Sequence, residues 1–380
     1  MQSNNEYNMS KYMKIAYISN VRIPTEKAHG IQIMKMCQAF AQNRAELDLI
    51  IPKRINKIKK DPFNFYSIEK DFNIKRIFSL DLLWIPFGKA LFFWIHTILF
   101  TKIVFIYCIL KKYDIYYTRD FLVVLFFMLR KKNIYYEVHS IPNKLLFLHK
   151  LAWKKSRGVI VISNGLKIAI ENYGIDKEKI LLARDAVDVI QFQIKQTQKK
   201  CREKLNIPQD QKIALYAGHL YNWKGVDLLA QASKNLEAIN VYLVGGAKED
   251  IIKFKKIYTN KNLHIIGWQP YETIAAWLQV ADILVLPSSG KTKIGSVYTS
   301  PLKLFEYLAA KKPLVISSVP ALQEVLGKDP NVYTFCADDK NSLIKNLKEA
   351  MKEKKIPITS QKIEQFSWQT RAKNILTWIG

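Results

Sequence analysis

The chain has 380 residues and is strongly basic, with 59 lysines and arginines against 32 aspartates and glutamates and a formal net charge of +27. This length is too great for one ordinary hydrophobic core and predicts two domains of similar size. Hydrophobic residues make up 49% and aromatic residues 12%, which excludes an intrinsically disordered chain. The charge predicts polyanions, phosphorylated ligands or anionic membranes as partners, although a lysine-rich surface alone accounts for part of it.

The four cysteines, Cys37, Cys108, Cys201 and Cys336, are scattered along the chain. They show no paired spacing that indicates a disulfide framework or a metal site. Residues 1–12 are predicted to be a polar tail that leads directly into a strand, without the apolar core of a signal peptide. Together these features favour a reducing compartment, and we expect a cytoplasmic location.

The first part of the chain alternates apolar strand patterns with helical ones. "KIAYIS" predicts a buried strand, "HGIQIMKMCQAFAQN" a helix with apolar positions three and four apart, and "LDLIIP" the next strand. Strand, helix and strand at this spacing predict a βαβ unit and a parallel sheet. We assign residues 13–183 to a first α/β domain, with further strands predicted at 114–119, 133–140 and 158–163.

A polar stretch, residues 184–211, interrupts this pattern and is predicted to link two domains. A second α/β domain is predicted over 212–365, followed by a closing helix over 366–380. Its strands are predicted at 212–220, 239–246, 263–268, 282–288 and 313–318. Because ligands of open parallel sheets bind beyond the carboxyl ends of the strands, we expect a cleft between the domains. The candidate site loops carry Gly30, His139, Gly218, Gly245, Gly267 and Ser288.

Residues 82–110 are apolar enough to raise the question of a membrane span. Lys102 would then lie near the middle of the bilayer at a cost of about 2.5 to 3.5 kcal/mol, and Pro86 and His96 interrupt the rest, so we predict no span. Two alternatives stay open: a core helix of the first domain, or a helix lying on an anionic membrane beside the basic run 52–60. In the second alternative the aromatic residues at the interface are Trp84, Phe87, Phe92, Phe93 and Trp94.

The segment "VYTSPLKLFEYLAAKKPLVIS" places a lone acid, Glu306, inside an apolar helical pattern. Ser300 is predicted to cap this helix and Pro301 to open its first turn. Unpaired N–H groups and the helix dipole attract anions at such a position, which puts Glu306 within reach of a ligand ribose. The predicted diphosphate site consists of Ser300, Pro301, Leu302 and Lys303. The alternative is a structural helix whose acid has no ligand.

A second segment, "YAGHLYNWKGVDLLAQA", predicts a strand, a turn and a helix. The turn carries His219 and Lys224 at the carboxyl end of the strand, where an anion would bind. The alternative is a solvated loop. No nucleic-acid motif or repeat of aromatic and basic residues accompanies these segments, so we expect no nucleic-acid partner.

Together these segments resemble the glycosyltransferase family 4 proteins, which are retaining, nucleotide-sugar-dependent enzymes of the GT-B fold. The resemblance implies two Rossmann-like α/β domains with parallel sheets facing across a cleft, and a C-terminal helix that crosses back to the first domain. It covers nearly the whole chain and rests on the order and spacing of its motifs. They are "ISNVRIPTEKAHGIQIMKMCQAFA", "YYEVHS", "VIVISNGLKIAI", "ILLARDAVDVIQF", "YAGHLYNWKGVDLL", "YLVGG", "IIGWQPYETIAAWLQVADILVLPS", "SPLKLFEYLAAKKPLVIS" and "FSWQTRAKNILTWIG".

The resemblance also implies roles for individual residues. Lys224 and His219 would neutralise the donor diphosphate, His219 standing where the family usually has arginine, and Glu306 would hold the donor ribose. The remaining donor residues would be Gly30, Gly218, Gly245, Ile266, Gly267, Trp268, Tyr298, Ser300, Pro301, Leu302 and Lys303, with the main chain at 266–268 holding the base. Catalysis is assigned to His139, Lys224 and Glu306, and the acceptor side to His29, Gln32 and Arg119. No cofactor and no metal are expected beside the nucleotide-sugar co-substrate, because N–H donors and the helix dipole can stabilise the leaving group.

The expected reaction transfers a sugar to a glycan or lipid-linked acceptor in polysaccharide or lipopolysaccharide assembly, with peripheral contact to the inner face of the cytoplasmic membrane. Three positions depart from the family pattern. Tyr298 replaces the first of two glutamates eight residues apart, Lys311 replaces a glycine that ends the helix, and Ala186 replaces another glycine. These departures keep a second interpretation open, a catalytically inert subunit that supports a partner enzyme. Arg119 also has an alternative, a surface pair with Asp120.

Overall fold

The computed structural model describes residues 13–81, 89–130 and 133–380, with Lys89 described through its backbone only. The predicted polar tail, residues 1–12, lies outside the described residues. So do Trp84, Pro86 and Phe87 of the apolar segment.

Seven parallel strands form the first sheet, in the spatial order β3-β2-β1-β4-β5-β6-β7. Its central strands are short apolar runs buried along their whole length, as expected of a parallel sheet covered on both faces. The strands are β1 (Met13–Ile18), β2 (Ala45–Pro52), β3 (Asn73–Ile77), β4 (Ile115–Thr118), β5 (Ile134–Val138), β6 (Gly158–Val161) and β7 (Ile180–Leu182).

Six parallel strands form the second sheet, in the order β10-β9-β8-β11-β12-β13. Both sheets reverse their strand order beside their first strand, which is the point where open α/β sheets bind ligands. The strands are β8 (Ile213–Ala217), β9 (Asn240–Val244), β10 (Leu263–Gly267), β11 (Ile283–Leu286), β12 (Leu314–Ser317) and β13 (Val332–Phe335).

Helices connect the strands and cover both faces of each sheet. In the first domain they are α1 (Ala28–Gln42), α2 (Pro62–Tyr66), α3 (Lys89–Lys111), α4 (Phe121–Phe127), α5 (Leu146–Lys155) and α6 (Asn164–Asn172). The others are α7 (Val189–Phe192), α8 (Gln198–Lys204), α9 (Val226–Ala232), α10 (Lys248–Ile257), α11 (Tyr271–Val280), α12 (Lys293–Ser296), α13 (Leu302–Ala309), α14 (Pro320–Leu326), α15 (Lys340–Glu353) and α16 (Trp368–Ile379). Short 3-10 segments include Asn222–Lys224 and Ile358–Phe366.

The alternating side chains of β1 divide the core of the first domain into two layers. Ile15 and Tyr17 pack under α1 and α16, whereas Ala16 and Ile18 pack under α3 to α6. The last helix, α16, thus belongs to the first core although the chain reaches it from the second domain. This is the predicted fold class, with two parallel-sheet α/β domains and a closing helix that returns.

The chain crosses between the domains twice, and the two crossings lie side by side. The Val187 N–H donates to the Phe366 carbonyl at 2.9 Å, and the Trp368 N–H donates to the Val187 carbonyl at 3.3 Å. Ala186 packs in the first core and Val189 in the second. Both connections therefore pass through one small paired segment.

Helix α3 has one buried and one exposed apolar face. Phe100 and Val104 lie in the core of the first domain, and the buried His96 accepts from Arg54 Nε at 2.9 Å. The span Ala90–Lys111 is long and apolar enough to cross a membrane by length and composition, which is weak evidence by itself. Its outer face leaves Leu91, Phe93, Ile98, Leu99, Ile106 and Leu110 exposed. The helix therefore packs on the sheet, as the core-helix alternative requires, and still presents an apolar surface.

Candidate active site

The carboxyl ends of the two sheets face each other across a cleft of about 370 Å³. Loops after β4, β5, β8, β9 and β10 reach it, as the strand-end rule predicts. The structure brings most of the predicted site residues together in the wall of this cleft. They are His29, Gln32, Arg119, His139, Gly218, His219, Lys224, Gly245, Trp268, Tyr298, Ser300, Pro301, Leu302, Lys303 and Glu306.

Gly30, Ile266 and Gly267 lie outside the cleft wall. Gly30 is buried in α1, and a Cβ there would overlap Tyr66 Oη and lie 2.6 Å from Thr25 Cγ2. Its lack of a side chain therefore makes room for two protein side chains. Ile266 packs on the core of the second domain, while the Gly267 carbonyl accepts from the Gly245 N–H at 2.7 Å. Of the predicted base-binding stretch, Trp268 is the residue that reaches the cleft.

Glu306 is a buried acid, 7% exposed, on α13. Its Oε1 accepts a hydrogen bond from Tyr271 Oη at 3.1 Å. Burial raises the pKa of the Glu306 carboxyl to about 7, against the opposing influence of the Tyr271 hydroxyl and the Lys303 ammonium. The carboxyl group is thus costly to bury as an anion, which is expected of a group placed for a ligand rather than for packing.

Lys303 lies one helical turn before Glu306 on α13, and its side chain packs between Tyr216 and Gly218. Its Nζ lies 2.6 Å from Tyr216 Oη and 4.2 Å from the centroid of the Tyr216 ring. Gly218 has φ +146°, and a Cβ there would lie 2.6 Å from Lys303 Cε. Burial and the nearby Lys224 push the pKa of Lys303 well below its usual range.

Lys224 ends the 3-10 turn that follows β8, and its Nζ lies 3.7 Å from the centroid of the Trp223 ring. Burial lowers the pKa of Lys224 to about 7, although Asp185 acts in the opposite direction. Within the described ranges, neither Lys224 nor Lys303 forms an ion pair with a carboxylate. Two lysines therefore share one wall of the cleft, where Asp185 and Glu306 act on them electrostatically without forming a direct ion pair.

His219 lies beside these lysines and stacks on Tyr221 at a centroid distance of 5.0 Å. Burial, followed by repulsion from Lys303 and Lys224, lowers the pKa of His219, so the ring is neutral near pH 7. Its Nδ1 is inaccessible to solvent and has no hydrogen-bond partner among the described residues. A buried polar atom without a partner is rare in folded proteins and costs stability, as expected at a binding site rather than in a core.

The start of α13 differs from the prediction. Pro301 occupies the N-cap position with ψ 118°, so the helix begins at Leu302, and no side chain caps it. The predicted cap at Ser300 is wrong, because the Ser300 hydroxyl accepts from the Asp185 N–H at 2.9 Å across the domain boundary. The N–H groups of Leu302 and Lys303 have no protein acceptor among the described residues. They remain the two backbone donors available to an anion.

His139 follows β5 and is held by a neighbouring carboxylate. Its Nε2 lies 2.6 Å from Glu137 Oε1. Burial and the Arg119 charge lower the pKa of His139 to about 4, although Glu137 acts in the opposite direction. The imidazole is therefore neutral at pH 7 and can exchange hydrogen bonds with sugar hydroxyls without carrying charge.

The predicted acceptor residues lie on the first-domain side of the cleft. Burial, with Arg119 and Lys27, lowers the pKa of His29 to about 4. Arg119 Nη1 is buried and has no hydrogen-bond partner within the described ranges, and the Asp120 carboxylate accepts from the Asn20 N–H at 2.8 Å instead. The alternative of a surface pair between Arg119 and Asp120 is therefore wrong. Gln32 donates from Nε2 to Asp185 Oδ1, so its amide already has a protein partner.

Tyr298, the residue at the position of the family's first glutamate, lines the cleft and also packs against the first-domain core. Lys311 has φ 52°, the left-handed conformation that a glycine would adopt without strain. The described residues contain no cluster of three or more His, Cys, Asp or Glu side chains that could hold a metal ion.

Three residues that line or support the cleft were not among the predicted site residues: Asp185, Tyr216 and Tyr271. Asp185 is buried, and burial raises the pKa of its carboxyl to about 7. It follows β7, a strand of three residues that was not predicted, so the strand-end rule could not be applied to it. The two tyrosines lie within a strand and at a helix start, where no sequence pattern distinguishes them from core residues.

Residues 197–367 match the family model of the glycosyl transferases group 1. An uncharacterized glycosyltransferase of Methanocaldococcus jannaschii is 28% identical over 198 residues, which cover 48% of this chain and 48% of that protein. A putative teichuronic acid biosynthesis glycosyltransferase of Bacillus subtilis is 28% identical over 134 residues, covering 35% of this chain and 31% of the relative. The chain thus spans about half the length of the first of these relatives and a third of the second.

Solved structures align over nearly the full length. Sucrose-phosphate synthase from Thermosynechococcus elongatus superposes with a TM-score of 0.75 at 18% identity, over 96% of this chain and 98% of that one. Anabaena HepE in complex with UDP-glucose superposes with a TM-score of 0.73 at 13% identity, over 96% and 99%. At identities this low, the superpositions show a shared fold and no more. The chain therefore has the two-domain GT-B fold, and its residues 197–367 are similar to the group 1 glycosyl transferases.

Proposed function

We propose that this chain is a retaining glycosyltransferase that takes its sugar from a nucleoside-diphosphate sugar bound in the interdomain cleft. The observation that carries the proposal is the pair of buried lysines, Lys224 and Lys303, which form no direct ion pair with a carboxylate in the part of the chain that the structure describes. They lie beside the free N–H groups at the start of α13. A diphosphate supplies the missing negative charge and accepts from those N–H groups.

The donor binds along the wall of the second domain. Its diphosphate contacts Lys224, Lys303, His219 Nδ1 and the first turn of α13, and the Glu306 carboxylate accepts from the ribose hydroxyls. The base lies toward Trp268, a residue that is 39% exposed and lines the cleft. HepE, a structural neighbour, has been solved with UDP-glucose, which supports a donor of this class.

In the transfer step, the bond between the sugar C1 and the diphosphate oxygen breaks, and its electron pair stays on the phosphate. The acceptor oxygen bonds to C1 on the same face, and its proton passes to the leaving phosphate oxygen, so the anomeric configuration is retained. Lys224, Lys303 and the α13 dipole stabilise the charge that develops on the phosphate, without a metal ion. His139, neutral at pH 7, holds a hydroxyl of the transferred sugar.

The acceptor enters from the first domain, toward His29 and Arg119, and is a glycan or a lipid-linked saccharide. The relative from Bacillus subtilis is named for teichuronic acid biosynthesis, and another structural neighbour is a lipopolysaccharide outer core galactosyltransferase. Both support a role in polysaccharide or lipopolysaccharide assembly.

The exposed apolar face of α3 and the net charge of +27 support peripheral docking on the anionic inner face of the cytoplasmic membrane.

Purified protein is expected to release free nucleoside diphosphate from one member of a panel of UDP-, GDP- and ADP-sugars. Lys224→Met is expected to weaken binding of that nucleoside diphosphate about 10- to 100-fold in calorimetry, since a hydrogen bond to a charged group contributes about 1.5 to 3 kcal/mol. At pH 8 the wild type is also expected to take up protons on binding, because the anion raises the pKa of the buried lysines.

Lys234→Met, the same change at an exposed 3-10 position, is the matched control and should leave affinity unchanged. Equal affinities for all three proteins would contradict the assigned phosphate site. Turnover of no donor, together with no nucleotide binding, would favour the inert subunit instead.

Glu306→Gln keeps the size of the side chain and removes its charge. The pKa of Glu306 is raised to about 7 in the folded chain, so its contribution to stability is present at low pH and is lost as pH rises from 4.5 through 7. At pH 8.5 the variant is expected to be more stable than wild type by up to about 3 kcal/mol in urea unfolding, and equally stable at pH 4.5. Its affinity for donor should fall, since the ribose loses an anionic acceptor.

Glu249→Gln, on the exposed first turn of α10, provides the control and should show no such dependence on pH. A stability difference between Glu306→Gln and wild type that stays constant from pH 4.5 to 8.5 would contradict an ionising Glu306 in a buried position.

The double variant Ile106→Ser/Leu110→Ser removes two side chains that are 59% and 77% exposed on α3. It is expected to reduce sedimentation with phosphatidylglycerol-containing vesicles at least tenfold, since each inserted aliphatic side chain contributes about 1.5 to 3 kcal/mol. Ile190→Ser, at a position 90% exposed on α7, is the control. Equal loss in both variants, or no vesicle binding by the wild type, would exclude α3 as the docking surface.

A further inference from the structure

A buried polar cluster runs from His139, in the cleft wall, to the closing helix α16. We define it as Tyr117, Glu137, His139 and Arg371. Glu137 on β5 is 1% exposed, and Arg371 on the closing helix α16 is 4% exposed. Charged side chains this deeply buried are rare unless they are paired.

Arg371 uses its whole guanidinium to tie α16 to the first domain. Its Nη2 donates to Glu137 Oε1 at 3.2 Å and to the Ala183 carbonyl at 3.2 Å. Its Nε donates to the Arg184 carbonyl at 2.8 Å, and its Nη1 lies 2.8 Å from Met36 Sδ. The side chain therefore contacts α1, β5 and the crossing between the domains at once.

Glu137 relays this contact to the cleft. Its Oε2 accepts from the Tyr117 hydroxyl, and its Oε1 accepts from both Arg371 and His139 Nε2, the latter at 2.6 Å. Burial alone would raise the pKa of Glu137, but Arg371 and His139 hold it well below its usual range. An ionised carboxylate can only accept, so the proton of the His139 imidazole lies on Nε2 and Nδ1 is left as an acceptor.

We propose that Arg371, contributed by the closing helix, is a positioning residue for His139: through Glu137 it fixes the orientation and the tautomer of the imidazole in the cleft. The relevance to catalysis rests on the proposed function, in which His139 contacts the transferred sugar. With its proton on Nε2, His139 accepts at Nδ1 from a sugar hydroxyl and does not donate to it. The docking of α16 thereby sets which hydrogen bond the cleft offers to the sugar.

The charged groups that face His139 shift its pKa in different directions. Arg119 and Arg371 lower its pKa and Glu137 raises it. Burial raises the pKa of Tyr17, Cys37 and Asp185, which lie near the same cluster. Tyr17 and Cys37 are therefore neutral at pH 7, whereas Asp185, with a pKa of about 7, is partly ionised. Removal of Arg371 is therefore expected to raise the pKa of His139, and removal of the Glu137 charge to lower it.

The test is NMR of histidine-labelled full-length protein, in which the ring carbon shifts report protonation and tautomer. The chain has 6 histidines, and His139→Gln identifies the signal of His139. Wild type is expected to show the tautomer protonated on Nε2 across the neutral range. Arg371→Met should raise the His139 midpoint by about one pH unit, and Glu137→Gln should lower it.

Arg184→Met is the matched control, since it removes an ion pair to Glu324 of the same 3.2 Å length that does not contact His139. If Arg371→Met does not fold, Glu137→Gln/Arg371→Met keeps the inference testable, because removing both buried charges together is close to neutral for stability. A glutamine can turn its amide either way, so this double variant should show a mixture of both tautomers. An unchanged tautomer and midpoint in the folded Arg371 variants would overturn the proposal.

Turnover separates this inference from the proposed function. In the double variant, kcat for nucleoside diphosphate release should fall at least tenfold with little change in the KM for donor, because the diphosphate contacts remain. The NMR result holds or fails in the free protein, whether or not any donor is turned over. An altered tautomer with unchanged kcat would overturn the catalytic part, whereas absence of turnover in the wild type would count against the proposed function alone.

Discussion

The cleft is organised around two buried lysines that form no direct ion pair among the residues the structure describes. Lys224 and Lys303 reach the same wall from different elements, and burial holds the pKa of each below its usual range. Desolvation of an ammonium group is costly, and the aromatic rings of Trp223 and Tyr216 offset only part of that cost. In the proposed function an anion completes this arrangement, and it accepts from the free N–H groups at the start of α13.

The scaffold explains how such a site can be held. Gly218 makes room for Lys303, and the φ of +115° at Gly245 allows its backbone to approach the Gly218 carbonyl. The Tyr271 hydroxyl donates to Glu306 and holds its carboxyl group in place. Across the cleft, the closing helix returns to the first core and its Arg371 supports His139 through Glu137. The two walls are thus held by separate cores but joined by one paired crossing at Val187 and Trp368.

Most strands of the two sheets could be predicted from the sequence, because strands buried on both faces give continuous apolar runs. Three strands were missed for physical reasons: β3 is mostly polar and lies at a sheet edge, β7 has only three residues, and β13 is an edge strand. Site residues at strand ends were found by position. Residues that act through a partner were not, since the pairing of Asp185 with Gln32, or Arg371 with Glu137, joins positions far apart in the chain. The Ser300 cap failed because a tertiary hydrogen bond took its hydroxyl.

The proposed role of the two lysines requires that a nucleoside diphosphate bind beside them. A crystal structure of the chain with UDP, or with the diphosphate selected by the donor panel, tests this most directly. The prediction is a diphosphate within hydrogen-bond distance of Lys224 Nζ and of the Leu302 and Lys303 N–H groups, with a ribose hydroxyl on Glu306. A nucleotide bound elsewhere, or bound in the cleft with its phosphates away from both lysines, would contradict the central claim.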